Sequence, residues 1–245
     1  MSAVGETDTA EAAKVLVIDD EIQTRRFLRA GLAVQNFDVV DAATGEDGLG
    51  LCAVEQPNVV VLDLNLPDMN GLEVLRRLRE WSQIPVIVLS AEGGDRTIID
   101  ALDCGADDYV TKPFKMAVFM ARLRVTLRRA MLENRDQSST PVYESGGLKL
   151  DHASRRCWVG DDEVSLTRKE FELLSILMRH EGKVLTHKFL LENVWGPANA
   201  DDREYVRVFI RQLREKIEEE PANPRRILTE TGVGYRLNNP EDGGD

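Results

Sequence analysis

Short apolar runs alternate with longer amphipathic stretches over the first half of the chain. The runs at 14–18, 59–62 and 85–89 are rich in Val, Ile and Leu, and each stops abruptly at polar residues. Between the second and third runs, residues 71–81 set leucines against arginines at the spacing of an amphipathic helix. Uninterrupted apolar strands that alternate with helices predict a doubly wound α/β domain, with a parallel sheet covered on both faces.

Polar residues that carry useful chemistry follow four of these predicted strands. Asp19 and Asp20 follow the first run, Asp63 the second and Ser90 the third, while Lys112 follows a run at 109–111. A single aspartate in this position is more often a helix cap or a turn residue. The five residues together indicate a binding site, because parallel sheets bind ligands beyond the carboxyl ends of their strands. Three carboxylates there repel each other, and Mg²⁺ is the natural compensating ion. Such a site is suited to forming an acyl phosphate.

The second half of the chain has a different pattern. Strand-like stretches come first, and Thr167 with Glu170 then forms a capping box at the start of an apolar-faced helix that ends by Gly182. Two further helices and a hairpin complete the domain. The predicted strands lie at 147–150, 156–159, 163–166, 226–229 and 235–237, and the later helices at 186–194 and 201–219.

The last predicted helix carries two stripes about a quarter turn apart. One is apolar and follows a buried spacing, at Val206, Ile210, Leu213 and Ile217. The other is basic, at Arg203, Arg207, Arg211 and Arg214. A basic stripe is usually a solvated, salt-bridged surface. Here we expect Glu204 and Glu215 to lie to one side without neutralising it, so that the stripe suits the major groove of DNA.

Composition excludes several classes of protein. A length of 245 residues allows one or two domains, and 42% apolar residues are typical of a globular chain. The absence of a long uncharged apolar run excludes membrane insertion, and the acidic first 13 residues resemble no targeting peptide, so we expect a cytoplasmic protein. Three isolated cysteines argue against a disulfide framework. The net charge of −12 does not exclude DNA binding, because the acidic excess lies mainly in residues 1–141.

Four motifs of the first half, in order and spacing, resemble the receiver domain of two-component response regulators. They are Ile18-Asp-Asp-Glu21, Val61-Leu-Asp-Leu-Asn-Leu-Pro-Asp68, Val88-Leu-Ser-Ala91 and Gly105-Ala-Asp-Asp-Tyr-Val-Thr-Lys-Pro-Phe114. The resemblance covers residues 14–132 and implies a five-stranded sheet.

The receiver resemblance also implies a role for each matching residue. Asp63 would be the phosphoacceptor, and Asp20 with Asp63 would ligate Mg²⁺ together with the backbone carbonyl of Asn65, while Asp19 completes the acidic pocket. Lys112 would contact the phosphoryl group. The switch pair would be Ser90 and Tyr109.

Residues 142–238 resemble the winged-helix effector domain of the OmpR/PhoB family. The motifs are Leu166-Thr-Arg-Lys-Glu-Phe-Glu-Leu-Leu174, Gly182-Lys-Val-Leu-Thr186, Val194-Trp-Gly196, Leu213-Arg-Glu-Lys216 and Gly232-Val-Gly-Tyr-Arg236. This resemblance implies DNA contacts from the arginine stripe and from Arg236, with RNA polymerase and a sensor histidine kinase as partners. It leaves a disordered tail at 1–13, a linker at 133–141 and an acidic tail at 239–245.

The family resemblance also implies a homodimer that binds promoter DNA with repeated half-sites. Its receivers would pair through the fourth helix, fifth strand and fifth helix, with Asp108 paired to Arg122 and Asp103 to Arg124. A third charge pair of the family is replaced here by apolar Ile98 and Val118. Losing both charges together is tolerable, so we expect an altered interface that still forms.

A narrower similarity points to one regulon. Segments 25–29, 78–82, 194–197, 204–207 and 229–236 are similar to potassium-responsive regulators of Kdp-type transport operons. An OmpR/PhoB-type regulator of another regulon is the alternative. A Mg²⁺-dependent aspartyl-phosphate phosphatase is disfavoured, because Asn65 stands where its general acid would be. A purely structural DNA-binding protein would not need the acidic pocket.

Overall fold

The computed structural model describes residues 12–91, 94–135, 142–196 and 203–239. Over these ranges the chain forms a five-stranded α/β domain followed by a winged-helix domain, as the sequence predicts. Most of the two expected tails and most of the expected linker lie outside the described residues. The helix before the linker continues to Arg135, three residues beyond the predicted domain boundary.

The first domain is built on a parallel sheet with strand order β2-β1-β3-β4-β5. All four strand pairs are parallel, so every strand ends at the same edge of the sheet. The strands are β1 Lys14–Ile18, β2 Asp38–Ala42, β3 Val59–Leu62, β4 Val86–Ser90 and β5 Asp108–Thr111.

Five helices cover both faces of this sheet. Along β1, Val15 and Val17 belong to one core cluster and Leu16 and Ile18 to another, which is why the strand is apolar from Val15 to Ile18. The helices are α1 Ile22–Ala33, α2 Gly45–Glu55, α3 Gly71–Arg79, α4 Asp95–Asp103 and α5 Met116–Arg135.

The second domain begins with an antiparallel sheet of four strands, β6 Val142–Ser145, β7 Leu148–Asp151, β8 Arg156–Val159 and β9 Asp162–Val164. Three helices follow, α6 Arg168–Arg179, α7 His187–Val194 and α8 Arg203–Ile217. A three-stranded sheet closes the domain, with β10 Leu185–Thr186 paired to the hairpin of β11 Ile227–Glu230 and β12 Gly234–Leu237. The capping box of α6 forms as the sequence predicts.

The two domains contact each other through α4 and α8. The core cluster on the α4 side of the first domain is continuous with the core of the second domain. Helix α8 therefore packs both against its own domain and against the first domain. The spacing of apolar residues in the sequence of α8 predicts only the first of these contacts.

Candidate functional sites: an acidic pocket and the arginine face of helix α8

The predicted strand-end residues converge in one pocket at the carboxyl edge of the parallel sheet. Asp19 follows β1 and Asp63 follows β3, and these two strands are neighbours. Lys112 follows β5 at the sheet edge and reaches both carboxylates, with its Nζ 2.8 Å from Asp19 Oδ2 and 2.7 Å from Asp63 Oδ2. Ser90, the last residue of β4, is fully buried beside this group of strands.

Three carboxylates of the pocket are close enough to share one cation. Ligand oxygens of Asp19, Asp20 and Asp63 all lie within 4.8 Å of one another. Asp19 and Asp63 are buried, whereas Asp20 is exposed and open to an incoming group. A set of hard oxygen donors with one open side fits Mg²⁺, which keeps part of its water shell when it binds protein.

Burial and ion pairing shift the pKa values of the pocket residues in opposite directions. Burial raises the pKa of Asp19, although the hydrogen bond and charge of Lys112 oppose this effect. For Lys112, burial favours the neutral amine, but the two carboxylates outweigh it and raise the pKa. The lysine therefore stays charged and holds the two buried carboxylates together.

The backbone around Asp63 is packed closely against the start of α3. Asn70 caps this helix by accepting from the Leu72 amide at 2.8 Å, and the Gly71 amide donates to the Leu64 carbonyl at 2.8 Å. A Cβ on Gly71 would collide with the carbonyl oxygen of Asp63. Asn65, whose carbonyl was predicted as a metal ligand, is exposed and bridges to Asn70.

Two residues that the sequence analysis did not assign hold the loops around the pocket. Arg25 donates from Nη1 to the backbone carbonyls of Asp19 and Asp20, at 2.5 and 2.9 Å. Asp68 accepts from the first amides of α2, at Gly45 and Glu46, and these hydrogen bonds lower its pKa. Asp68 lies within a quoted receiver motif and Arg25 within the segment 25–29, but their partners become visible only in three dimensions.

The arginines of α8 differ in their surroundings. The Arg207 side chain is 60% exposed and pairs with Glu204 at 2.7 Å. Arg211 pairs with Asp103 of α4 and lies 3.8 Å from Glu215. The expectation that the two glutamates leave the stripe unpaired is therefore wrong, because they lie three and four residues from these arginines and so on the same helix face.

The remaining predicted DNA contacts lie near the wing hairpin. Arg214 donates from Nη2 to the Ile227 carbonyl and the Thr229 hydroxyl, both at 2.7 Å, and so ties α8 to β11. Arg236 on β12 donates to Glu230 at 3.0 Å. The side chain of Arg203 lies outside the described residues.

The predicted dimer residues lie on α4, β5 and α5 of the first domain. Asp108 is buried and accepts from Arg122 of the same chain at 2.7 Å. Arg124 is exposed. Ile98 is half-buried against the core, whereas Val118 is 47% exposed.

Comparisons with known proteins agree with this architecture. Residues 15–124 match the family of response regulator receiver domains, and residues 161–237 match the family described as transcriptional regulatory protein, C terminal. The KDP operon transcriptional regulatory protein KdpE of Escherichia coli K12 is 45% identical over 91% of this chain and 98% of its own length. This similarity agrees with the Kdp-type resemblance found in the sequence.

Two solved structures cover both domains. The response regulator DrrB of Thermotoga maritima, described as an OmpR/PhoB homolog, is 34% identical over 93% of this chain and 99% of that one, with a TM-score of 0.49. A point mutant of RitR is 25% identical over 92% of this chain and 99% of that one, with a TM-score of 0.74. Among the described helices, none combines the length and the apolar character needed to cross a bilayer.

Proposed function

The chain belongs to the OmpR/PhoB family of two-component response regulators, and from this premise we propose that Asp63 accepts a phosphoryl group from a sensor histidine kinase. The observation that carries the proposal is the Lys112 bridge between Asp19 and Asp63 in a pocket of three carboxylates. A carboxylate held beside an ammonium and a divalent-cation site has what phosphoryl transfer requires.

Each pocket residue has a distinct part in the proposed reaction. A carboxylate oxygen of Asp63 attacks the phosphorus, an O–P bond forms, and the N–P bond to the kinase histidine breaks. Lys112, already 2.7 Å from Asp63 Oδ2, would shift its contact to a phosphoryl oxygen. Mg²⁺, held by Asp20, Asp63 and the Asn65 carbonyl, would neutralise developing charge, and Asp19 would complete the acidic pocket.

Phosphorylation would then change the conformation of the switch pair, Ser90 and Tyr109. The hydroxyl of Ser90 lies at the carboxyl end of β4, next to β5, which carries Tyr109. We propose that Ser90 hydrogen-bonds the phosphoryl group and that Tyr109 changes position with it. Both side chains are buried, so a shift of one requires its neighbours to move.

DNA binding is assigned to the second domain. Arg207 and Arg211 are exposed among the α8 arginines whose side chains the structure describes, and we propose that they contact phosphates or guanine edges in the major groove. Arg203 begins the same helix, and Arg236 extends the surface onto the wing. Arg214 supports the surface by fixing α8 to β11. Receiver pairing through α4, β5 and α5 would place two effector domains on repeated half-sites, where they would contact RNA polymerase.

The proposed target is a potassium-transport operon of the Kdp type. Its support is the 45% identity to a protein whose name assigns it to that operon. This identity extends over 91% of this chain and 98% of that protein, so it takes in α8 and the wing, the surfaces proposed to contact DNA.

The experiment compares wild type with Asp63→Asn and with Asp38→Asn, an exposed aspartate of β2 that serves as control. Each protein is incubated with Mg²⁺ and acetyl phosphate and examined by intact-mass spectrometry. Wild type and Asp38→Asn should gain one phosphoryl group, and Asp63→Asn none, because an amide is a poor nucleophile. An undiminished adduct on Asp63→Asn would contradict the assignment.

A DNA-binding experiment measures the affinity of the same proteins for the fragment upstream of a Kdp-type operon and for an unrelated promoter. Phosphorylated wild type should bind the first fragment more tightly, and Asp63→Asn should show no gain with acetyl phosphate. Equal affinity for both fragments would contradict the assignment to a potassium-transport operon and would favour a regulator of another regulon.

A further inference from the structure

The loop between β1 and α1 carries two of the three pocket carboxylates. Strand β1 ends at Ile18 and α1 begins at Ile22, so Asp19, Asp20 and Glu21 form the whole connection. In an extended chain, consecutive side chains point to opposite sides. Oxygens of Asp19 and Asp20 nevertheless lie within 4.8 Å of each other, so the backbone turns between these residues. The turn needs support, because the two carboxylates repel each other.

Arg25, on the first turn of α1, bonds to both residues of this turn. Its Nη1 donates to the backbone carbonyl of Asp19 at 2.5 Å and to that of Asp20 at 2.9 Å. Two consecutive carbonyls that meet at one nitrogen are kept on the same side of the chain. Asp41 of β2 accepts from Arg25 Nε at 3.0 Å and so fixes the orientation of the guanidinium. The Arg25 side chain is only 14% exposed, so this arrangement is largely shielded from solvent.

The position of Asp20 depends on Arg25 more than that of Asp19 does. The Asp19 amide donates to the Ala42 carbonyl at 3.2 Å, and Lys112 pairs with the Asp19 carboxylate. Among the described residues, no cation pairs with the carboxylate of Asp20. Its backbone carbonyl, held by Arg25, is therefore the main restraint on this exposed ligand.

The charge of Arg25 and its hydrogen bonds have opposite expected effects on a bound cation. A positive charge close to the pocket repels Mg²⁺, so charge alone would weaken Mg²⁺ binding. The Asp41 carboxylate, 3.0 Å from the guanidinium, offsets much of this repulsion. Residues that orient metal ligands typically change metal affinity by about 10–100-fold when they are removed. The placement of the ligands should therefore outweigh the charge.

We propose that Arg25 is a positioning residue of the cation site, whose guanidinium sets the β1–α1 turn so that Asp20 joins the two buried carboxylates around one ion. The proposal rests on the function proposed above, in which Mg²⁺ is needed for phosphoryl transfer. Arg25 does not touch the reacting atoms. Its loss should therefore change how much Mg²⁺ is needed, and not the rate at which Asp63 is phosphorylated once Mg²⁺ is saturating.

Four variants separate placement from charge. Arg25→Lys keeps the charge but loses the planar set of donors, whereas Arg25→Gln loses both. Arg26→Gln is the matched control, because Arg26 is an exposed arginine one residue further along α1. Arg29→Gln removes the other arginine that pairs with Asp41, a side chain that is 54% exposed, and so tests the loss of one charge from the same ion-pair group.

The first measurement is the Kd of the full chain for Mg²⁺, by isothermal titration calorimetry without a phosphodonor. Arg25→Lys and Arg25→Gln should both raise this Kd about tenfold, whereas Arg26→Gln and Arg29→Gln should match wild type. Circular dichroism checks that each variant is folded. Tighter Mg²⁺ binding by Arg25→Gln, as expected if charge dominated, would overturn the proposal, and so would equal affinity of Arg25→Gln and Arg26→Gln.

The second measurement is hydrogen exchange of residues 19–25 in the full chain without metal. The amides of Asp19 and Glu21 are bonded to the Ala42 carbonyl and to Asp19 Oδ1, so they report on the turn. They should exchange faster in Arg25→Lys and Arg25→Gln than in wild type, and Arg26→Gln should match wild type. Unchanged exchange in both Arg25 variants would show that Arg25 does not hold the turn and would overturn the proposal.

The third measurement is the rate of labelling by acetyl phosphate as a function of Mg²⁺ concentration. In Arg25→Lys the Mg²⁺ concentration for half-maximal rate should rise about tenfold, and the rate at saturating Mg²⁺ should match wild type. A lower maximal rate with an unchanged half-maximal concentration would overturn the proposal, since Arg25 would then not act through the ion. If wild type bound Mg²⁺ but were not labelled at any concentration, the proposed function would fail, and the role of Arg25 in placing the ligands would stand on the first two measurements.

Discussion

The acidic pocket and the arginine face of α8 balance their charges in different ways. In the pocket, buried Asp19 and Asp63 share Lys112, and the carboxyl ends of β1, β3 and β5 place the three residues at one edge of the sheet. On α8, Arg207 and Arg211 are half exposed or more and are paired with Glu204 and with Asp103 of the other domain. The sheet topology alone assembles the pocket, whereas the state of α8 depends on what packs beside it.

This difference has an energetic consequence. Exposed ion pairs contribute only about 0–1 kcal/mol each and are screened by salt, so the arginines of α8 can exchange their carboxylates for DNA phosphates at little cost. Removing one partner of a buried pair is far more costly. We therefore expect changes in the pocket to alter stability as well as function, and changes at the exposed residue Arg207 of α8 to alter DNA binding alone.

The largest effect is expected at Gly71, which lies against the backbone of Asp63. In Gly71→Ala the new Cβ would meet the Asp63 carbonyl oxygen and the Leu64 Cα, and backbone atoms cannot move aside cheaply. The free energy of unfolding should fall by about 3 kcal/mol. Urea denaturation measures this loss, and acetyl phosphate should label the variant more slowly because Asp63 is displaced.

Gly50→Ala is the matched control for this prediction. Gly50 lies in α2, is exposed, and has open space where a Cβ would stand. Alanine favours helix over glycine, so this variant should be more stable by about 0.5–1 kcal/mol. If Gly71→Ala were as stable as Gly50→Ala, the pocket would not depend on the tight packing between α3 and the Asp63 loop.

The contrast also explains what the sequence could predict. The pocket residues were identified because parallel strands bring their carboxyl ends together whatever surrounds them. Strand β2 was missed because its sequence, Asp38 to Ala42, is polar at its start and only partly buried, as an edge strand can be. Tyr205 and Gln212 are buried and hydrogen-bond to Asp108 and Asp103 of the first domain. They were missed because nothing in the spacing of α8 shows that another domain covers them.

A second prediction concerns the apolar pair in the proposed receiver dimer. If Ile98 and Val118 meet across that dimer, their burial contributes about 1–3 kcal/mol, more than a surface ion pair. Ile98→Lys should therefore weaken association of the beryllofluoride-activated full chain, because it buries an unpaired charge. Adding Val118→Glu should restore much of the association. Sedimentation velocity in low and high salt measures both.

Val34→Glu is the control for the dimer experiment, since Val34 is 79% exposed at the end of α1, outside the proposed interface. It should leave the sedimentation coefficient unchanged. A double variant no better than Ile98→Lys alone would show that the two positions do not face each other. The dimer would then depend on Asp103 and Asp108, which pair with Arg211 and Arg122 within one chain.

The smallest effect is expected on α8, where charges are exposed. Arg207→Ala should weaken specific DNA binding by about 1 kcal/mol or more without changing stability. Arg156→Ala is a close match, because Arg156 is also an exposed arginine paired with a glutamate, but it lies on β8 and not on α8. Fluorescence anisotropy at several salt concentrations separates the two kinds of contact. A lost phosphate contact lowers the salt slope by about 1, whereas a lost base contact reduces discrimination between sequences. Equal affinity of Arg207→Ala and Arg156→Ala for the operator would show that Arg207 does not contact DNA. The arginine face of α8 would then be an ordinary solvent-exposed surface, with its arginines paired to glutamates.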